Sequence, residues 1–336
     1  MQMATTVRGL VVTIAPLLIA VGACRGNSPV TPAPTQTPSA ATPGQPAAAT
    51  GCAATSVGLT PLSDLGSGTY QGQPGGLYPG GVNARPSSHE ASGIARARAI
   101  QPMNGAGAPS TTGRYVLVSI GMSNTTQEFS TFKPLADGDG QKDPRLAIVD
   151  GAQGGMTGTN WASAGCSCWT VLDQRLASAG VTGSQVAIAW IKLAEQQPTQ
   201  GWPLAARILQ GNIVTVAQLL KQRFPNLQLA YLSSRIYAGY ATTSLNPEPY
   251  AYESGFAVRW AIEELTGDAN APWVSWGPYL WADGLKPRSD GLTWACGDLN
   301  DDGTHPSATG RRKVADMLLA FFKSDSTARE WFLVNP

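Results

Sequence analysis

Two histidines, His89 and His305, are the whole imidazole content of this chain. Asp302 stands shortly before His305 in the run Asp302-Gly303-Thr304-His305. A carboxylate at that spacing can hold one ring nitrogen of the histidine and leave the other free to take a proton. Far upstream, Ser123 and Asn124 follow Gly121 and Met122 at the end of the apolar run 115–120. A serine on a sharp turn after a strand is exposed, but its hydroxyl is a poor nucleophile until a base lies within hydrogen-bond reach. Ser123, His305 and Asp302 are therefore the candidate nucleophile, base and orienting acid of an acyl-transfer centre. His89, in the stretch Ser87-Ser88-His89-Glu90, reads as a loop histidine or as one folded back over that centre.

Other residues are candidates for binding rather than chemistry. Arg235 follows the apolar run 227–232 and is expected at the same rim, where a guanidinium binds a carboxylate or sugar hydroxyls or forms a structural ion pair. Trp273, Trp276, Tyr279, Trp281 and Trp294 crowd one stretch. Aromatic faces with polar edges suit sugar stacking as well as packing. Trp273 and Trp276 are expected in the core, Trp281 and Trp294 exposed near the site. Glu253 reads as a surface or helix-capping residue. Asp298, Asn300, Asp302 and Gly303 imitate the start of a calcium loop, but its last position is Thr309 rather than Glu, and no helical run precedes it. No metal is assigned on that basis, and no nucleotide, haem or flavin motif calls for a cofactor.

The elements that must position these residues alternate. Strand-like runs at 115–120, 146–150, 185–191, 227–232 and 273–276 are separated or followed by helical patterns at 162–179, 204–224, 249–265 and 307–322. Such alternation predicts an α/β fold, a parallel sheet covered on both faces, with ligands at the carboxyl ends of the strands. Ser123 and the 302–305 run both fall in loops that can lie on that rim.

At these residues the chain resembles the SGNH (GDSL-type) hydrolases. The Gly-x-Ser-Asn of Gly121, Ser123 and Asn124 is similar to that of their carbohydrate acetylesterase branch, with Met122 where that branch has Gln. The late Asp-x-x-His-x-x-x-x-Gly is met in full by Asp302, His305 and Gly310. The resemblance covers about residues 113–325. It implies a flavodoxin-like three-layer αβα sandwich of about five parallel strands, a metal-free Ser123–His305–Asp302 triad, and O-acyl groups on carbohydrate as substrate. It also implies a glycine N–H after the second strand as oxyanion donor, and Gly155 is the expected one. The third block departs from the family: Trp190-Ile-Lys192-Leu-Ala-Glu195 stands where Asn or Trp-x-Gln-Gly-Glu is usual. Lys192 is a candidate cationic donor to the oxyanion, or else the partner of a carboxylate. Asn124, Arg235 and Trp281 are the candidate substrate-binding residues. A surface carbohydrate-binding protein that has lost turnover is the rival reading, motivated by the altered third block and the aromatic cluster. A lipase or thioesterase would want a long apolar lid helix, and the sequence has none.

Composition sets the frame. Residues 1–23 read as a secretory signal, with Arg8 in the charged region and a short apolar run to Val21. Val21-Gly22-Ala23-Cys24 resembles a bacterial lipobox, which implies cleavage before Cys24 and lipid on its thiol. Residues 24–55 form a Pro/Thr/Ala-rich linker that cannot bury enough apolar surface to order itself. Residues 56–112, rich in Gly, Pro and Ser, read as an irregular N-terminal extension, and 113–336 as the hydrolase-like domain. The expectation is an exported protein held at a membrane by a lipid anchor only. Charged residues make up 13% of the chain and the net charge is +1, with no basic stripe, so nucleic acid is not an expected partner. Besides Cys24 there are Cys52, Cys166, Cys168 and Cys296, enough for two disulfides in an oxidising compartment. Cys166 and Cys168 are expected to be too close to bridge each other, so each should pair with Cys52 or Cys296. A four-thiolate zinc site lacks the paired Cys-x-x-Cys spacing.

Overall fold

The computed structural model describes residues 51–336. The expected signal, Cys24 and the linker as far as residue 50 lie outside the described residues. The described residues begin with a short 3-10 turn at Gly51–Ala53, then α1 (Leu62–Leu65), the two-residue strands β1 (Thr69–Tyr70) and β2 (Gln73–Pro74), and α2 (Ser87–Arg98). The main sheet follows: β3 (Tyr115–Gly121), β4 (Leu146–Val149), β5 (Val186–Lys192), β6 (Leu229–Leu232) and β7 (Trp273–Trp276). Its helices are α3 (Ser123–Asp137), α4 (Gly158–Trp161), α5 (Ser167–Ser178), α6 (Leu204–Arg223), α7 (Tyr250–Leu265), α8 (Ala308–Ser324) and α9 (Arg329–Phe332).

The five strands pair in parallel in the order β4-β3-β5-β6-β7. Counting from β3, this is the 2-1-3-4-5 order of a flavodoxin-like, doubly wound sheet. The chain moves one way from β3 to β4 and the other way thereafter. Right-handed crossovers therefore put α3 on one face and the β4–β7 connections on the other. The packing agrees: α3 lies against α8, and α6 against α7. Every residue of β3 and β5 is buried, which is why both read as unbroken apolar runs rather than alternating ones. Phe129 of α3 stacks on Trp190 of β5 with ring centroids 5.7 Å apart, and Phe132 meets Phe322 of α8 at 5.5 Å.

Of the expected helix over 162–179, only α5 is helical; residues 162–166 form the turn that separates it from the short α4 before it. Thr157 caps α4, and Cys166 is the extended N-cap of α5. The start of α5 corrects the disulfide expectation. Helical backbone at Ser167, between the two cysteines, brings their Cα atoms to 5.2 Å, within reach of a bridge, and the two are bonded. Cys52 and Cys296 form the other bridge.

The N-terminal extension is more ordered than its composition implies. Cys52 is tied to Cys296, Ala54 is 2% exposed, and Tyr237 OH donates to Ala54 O at 2.6 Å. The end of the expected linker, 51–55, is thus built into the fold. Further on, α2 covers the edge strand β7. His89 bonds Val274 O through Nε2 at 2.8 Å and stacks on Trp273, while Tyr78 and Arg85 both reach Ser275 Oγ. An open strand edge invites pairing with another chain, and these polar side chains occupy it. His89 is therefore an edge-covering residue on β7 rather than one folded over Ser123.

Candidate active site

The switch in strand order falls between β3 and β5, and in such sheets the crevice lies at the carboxyl ends of the strands beside it. Ser123 opens α3 directly after β3. Its approach is tight: a Cβ on Gly121 would sit 2.3 Å from both Lys192 O and Thr125 Oγ1. Gly121 O is fixed in turn by Trp161 Nε1 at 3.1 Å and Gln153 N at 3.0 Å.

Ser123 Oγ lies 2.8 Å from His305 Nε2. His305 Nδ1 is hydrogen-bonded to Asp302 Oδ2. Asp302 Oδ1 accepts the backbone N–H groups of Thr304 and His305, each at 2.9 Å. The short loop is therefore folded around one carboxylate. Gly303 makes this possible: its φ is +62°, and a Cβ there would strike Tyr240 O. Partial burial pushes the Asp302 carboxyl up, but the His305 ring and the two N–H donors outweigh it and hold it below the usual carboxylate range. Asp302 is thus ionised at neutral pH, and the His305 tautomer it favours carries its proton on Nδ1, leaving Nε2 free towards Ser123. The side chains of His305 and Asp302 are 22% and 32% exposed, so the set stays open to solvent.

Backbone donors lie next to the nucleophile. Ser123 is the first residue of α3, whose N-terminal N–H groups lack intrahelical partners. Gly154 is the glycine set beside it: a Cβ on Gly154 would lie 4.0 Å from Ser123 Cβ, while one on Gly155 would meet nothing. Gly155, at φ +76°, is instead the left-handed residue of a turn closed by Met156 N donating to Gln153 O at 3.2 Å. Of the two glycines, Gly154 is thus the one nearer Ser123. Asp150 organises this loop. It accepts from Ser119 Oγ at 2.5 Å and from Thr126 Oγ1, and Gly151 N and Ala152 N donate to Ser119 Oγ. Burial lifts the Asp150 carboxyl above its ordinary range, against those hydroxyl donors.

Lys192 does not face the crevice. It is 1% exposed, and its Nζ donates to both oxygens of Glu128 on α3 at 2.5 Å. Burial lowers Lys192 to about 8 against the pull of Glu128, and raises Glu128 above the usual carboxylate range. The expected oxyanion cation is thus the partner of a buried carboxylate. Arg235, three residues past the carboxyl end of β6, is likewise buried at 4% exposure rather than open to solvent, with Nε and Nη2 unpartnered among the described residues. Burial pulls it down, while Glu128, Glu248 and Asp302 favour its charge. Asn124 is 1% exposed, and its Nδ2 donates to Thr304 O at 2.9 Å, tying α3 to the histidine loop instead of reaching solvent. Trp281 and Trp294 are both 0% exposed. Trp281 Nε1 donates to Glu248 Oε1 at 2.7 Å, and Trp294 Nε1 to Leu280 O at 2.8 Å. The aromatic cluster is packing, not an open platform. Glu253 is buried and accepts from Tyr70 OH at 2.8 Å, so it is not a surface residue either. Asp298, the first residue of the calcium-like run, is held by Lys313 Nζ at 2.5 Å.

The fold and site define an α/β three-layer protein with a hydrogen-bonded serine, histidine and aspartate at the carboxyl edge of its sheet. No protein-family model and no curated protein matches the chain. Similar solved structures include a candidate acylhydrolase from Bacteroides fragilis, at 12% identity and TM-score 0.40 over 70% of this chain and 95% of that one. A carbohydrate esterase family 3 protein from Talaromyces cellulolyticus aligns at 13% identity and TM-score 0.35, covering 61% of this chain and 94% of that one. The salicylyl-acyltransferase SsfX3 of a tetracycline biosynthetic pathway aligns at 13% identity and TM-score 0.34, over 65% of this chain and 56% of that one.

Proposed function

We propose that this protein is an SGNH-like serine esterase that hydrolyses O-acyl esters, with O-acetyl groups on carbohydrate as the substrate class. The observation that carries the reading is the unbroken hydrogen-bond chain from Ser123 through His305 to Asp302. His305 Nε2 takes the Ser123 proton as Oγ attacks the ester carbonyl. The Ser123 and Gly154 N–H groups receive the developing oxyanion, and Asp302 stabilises the imidazolium. His305 then protonates the leaving alcohol. Water, deprotonated by His305, attacks the acyl-enzyme, and the acid leaves as the serine is regenerated. The carbohydrate part of the proposal rests on the Gly121, Ser123, Asn124 and Asp302, His305, Gly310 motifs. The rival carbohydrate-binding reading loses the exposed aromatics that motivated it, since Trp281 and Trp294 are buried.

Export and lipid anchoring at Cys24 are part of the same proposal, supported by the 1–24 sequence and by two disulfides. Among the described residues no helix is long and apolar enough to cross a membrane. The activity test compares wild type and Ser123→Ala on p-nitrophenyl acetate and on acetylated oligosaccharides, reading released acetate. Turnover confined to wild type is expected. Full hydrolysis by Ser123→Ala would overturn the mechanism. Cys24→Ala should move the protein from the membrane to the soluble fraction, and unchanged fractionation would remove the anchor.

A further inference from the structure

Glu248 has no part in the chemistry assigned to Ser123, His305 and Asp302, yet its carboxylate gathers three segments of the same edge of the sheet. The residue as a whole is half-buried, but its carboxylate is turned onto buried neighbours. Oε1 accepts from Ala238 N at 2.9 Å and from Trp281 Nε1 at 2.7 Å, and Oε2 accepts from Tyr252 N at 2.9 Å. Ala238 belongs to the loop after β6, Trp281 to the loop after β7, and Tyr252 to the first turn of α7. From Ala238 the contacts run on to the acid of the triad. Ala241 N donates to Ala238 O at 3.1 Å, and Thr242 N donates to Asp302 O at 3.0 Å. Tyr240 O closes against Gly303, where a Cβ would lie 1.9 Å from it. The Asp302–His305 loop therefore rests on the 238–242 segment, and Glu248 anchors that segment.

We propose that Glu248 is a positioning residue for the Asp302–His305 pair, acting as a carboxylate that fixes the 238–242 segment, and that its protonation releases this hold. Its consequence for turnover rests on the esterase reading; the contacts themselves do not. The ionised form suits its partners. Three N–H groups face it, one of them an N-terminal N–H of α7 without an intrahelical acceptor, and the positive end of the helix dipole favours an anion. A protonated carboxyl accepts more weakly, and its O–H would be turned among donors. The charges around it oppose one another: Arg235, from the loop after β6, attracts the anion, and Asp283, from the loop after β7, repels it. Tyr70, Tyr237, Tyr252 and Tyr279 also lie near, each kept neutral by burial that pushes its hydroxyl up. Burial outweighs the N–H donors and lifts the Glu248 carboxyl to about 7. A folded value above the unfolded one means that the native state binds the extra proton between about pH 4.3 and that point. Ionisation therefore lowers stability as pH rises through the window, while it completes the hold on the triad loop.

The test compares the purified full chain with Glu248→Gln and Trp281→Phe. Indole N–H spectra report the ten tryptophans, and Trp281→Phe assigns the signal that donates to Glu248. In wild type that signal should inflect near pH 7, and in Glu248→Gln it should be flat. Isotope-labelled histidine gives two signals, because the chain has two histidines. The His305 signal should move in Glu248→Gln above the Glu248 titration, while that of His89, on the β7 edge, stays. On an acetyl ester, Glu248→Gln should lose about ten- to a hundredfold in kcat with KM little changed, as a misplaced triad acid would. The acid limb of log kcat/KM should fall from slope two to slope one, since only His305 remains to be deprotonated. Trp281→Phe takes one donor from the anion and should move the acid limb to higher pH. A Trp281 indole that does not titrate in wild type, a His305 signal unmoved in folded Glu248→Gln, or wild-type kcat and pH profile in that variant would overturn the proposal. Where Glu248→Gln does not fold, the wild-type indole titration and the Trp281→Phe acid limb decide. Wild type that hydrolyses no ester would sink the esterase reading alone, and the two spectra would still decide whether Glu248 positions the pair.

Discussion

Lys192→Met removes the cation of a pair in which Lys192 is 1% and Glu128 0% exposed. Removing one member of a buried pair costs about 3–5 kcal/mol, because the other charge is left uncompensated. For a domain of this size that is a fall in Tm of roughly 5–8 °C. The loss has a pH signature. Glu128 already sits above its ordinary range through burial, and without Lys192 it rises further. A carboxyl whose folded pKa exceeds its unfolded value binds more protons in the native state. Stability of the variant should therefore be near wild type around pH 5 and decline as pH rises towards 8. The double variant Glu128→Gln with Lys192→Met should recover much of the loss at pH 8, with a remainder because Arg235 also leans on Glu128. Urea melts at both pH values, read by circular dichroism, provide the double-mutant cycle. A Lys192→Met protein within about 1 kcal/mol of wild type at pH 8, or a double variant no better than the single, would refute the buried-pair assignment.

Other expectations follow from single contacts. Asp302→Asn should leave the fold intact and lower kcat by about 10³–10⁴-fold, because an amide favours the wrong histidine tautomer; kcat within tenfold of wild type would contradict the role given to Asp302. The same carboxyl is held below its ordinary range, so its contribution to stability is full above about pH 4 and lost as pH falls through the folded value. Acid denaturation curves should accordingly be less steep in Asp302→Asn. Gly121→Ala places a methyl 2.3 Å from Lys192 O, and should lose about 1–3 kcal/mol of stability together with esterase activity, read by melts and acetate release. Cys52→Ser opens a bridge spanning 244 residues and should cost about 2–5 kcal/mol in denaturant melts, whereas Cys166→Ser, which opens a loop of separation 2, should cost far less.

The sheet was legible because its central strands are buried on both faces and so appear as continuous apolar runs between amphipathic helices. Ser123, Asp302 and His305 stood out because histidine is scarce here and the Asp302–His305 spacing is local, so a short loop alone nearly determines the contact. What stayed hidden depends on contacts distant in sequence. Glu128 lies 64 residues from Lys192 in the polar start of α3, and nothing in its neighbours marks it as buried. Trp281 and Trp294 look like a sugar platform until the backbone around them closes: Ser56 and Val57 of the extension dock on Asp283, and Tyr240 OH donates to Trp294 O. The Cys166–Cys168 bridge depends on the helix beginning at Ser167, and the nearness of Gly154 rather than Gly155 to Ser123 on the phase of a single turn. Spacing alone does not resolve either.

The most direct test of the proposed nucleophile is covalent labelling of the full chain with a fluorophosphonate, followed by peptide mapping. A single adduct on Ser123, absent from His305→Ala and strongly reduced in Asp302→Asn, is the expected result. A folded, disulfide-bonded protein that takes no label, or takes it at another serine, would contradict the claim that Ser123 is an activated nucleophile.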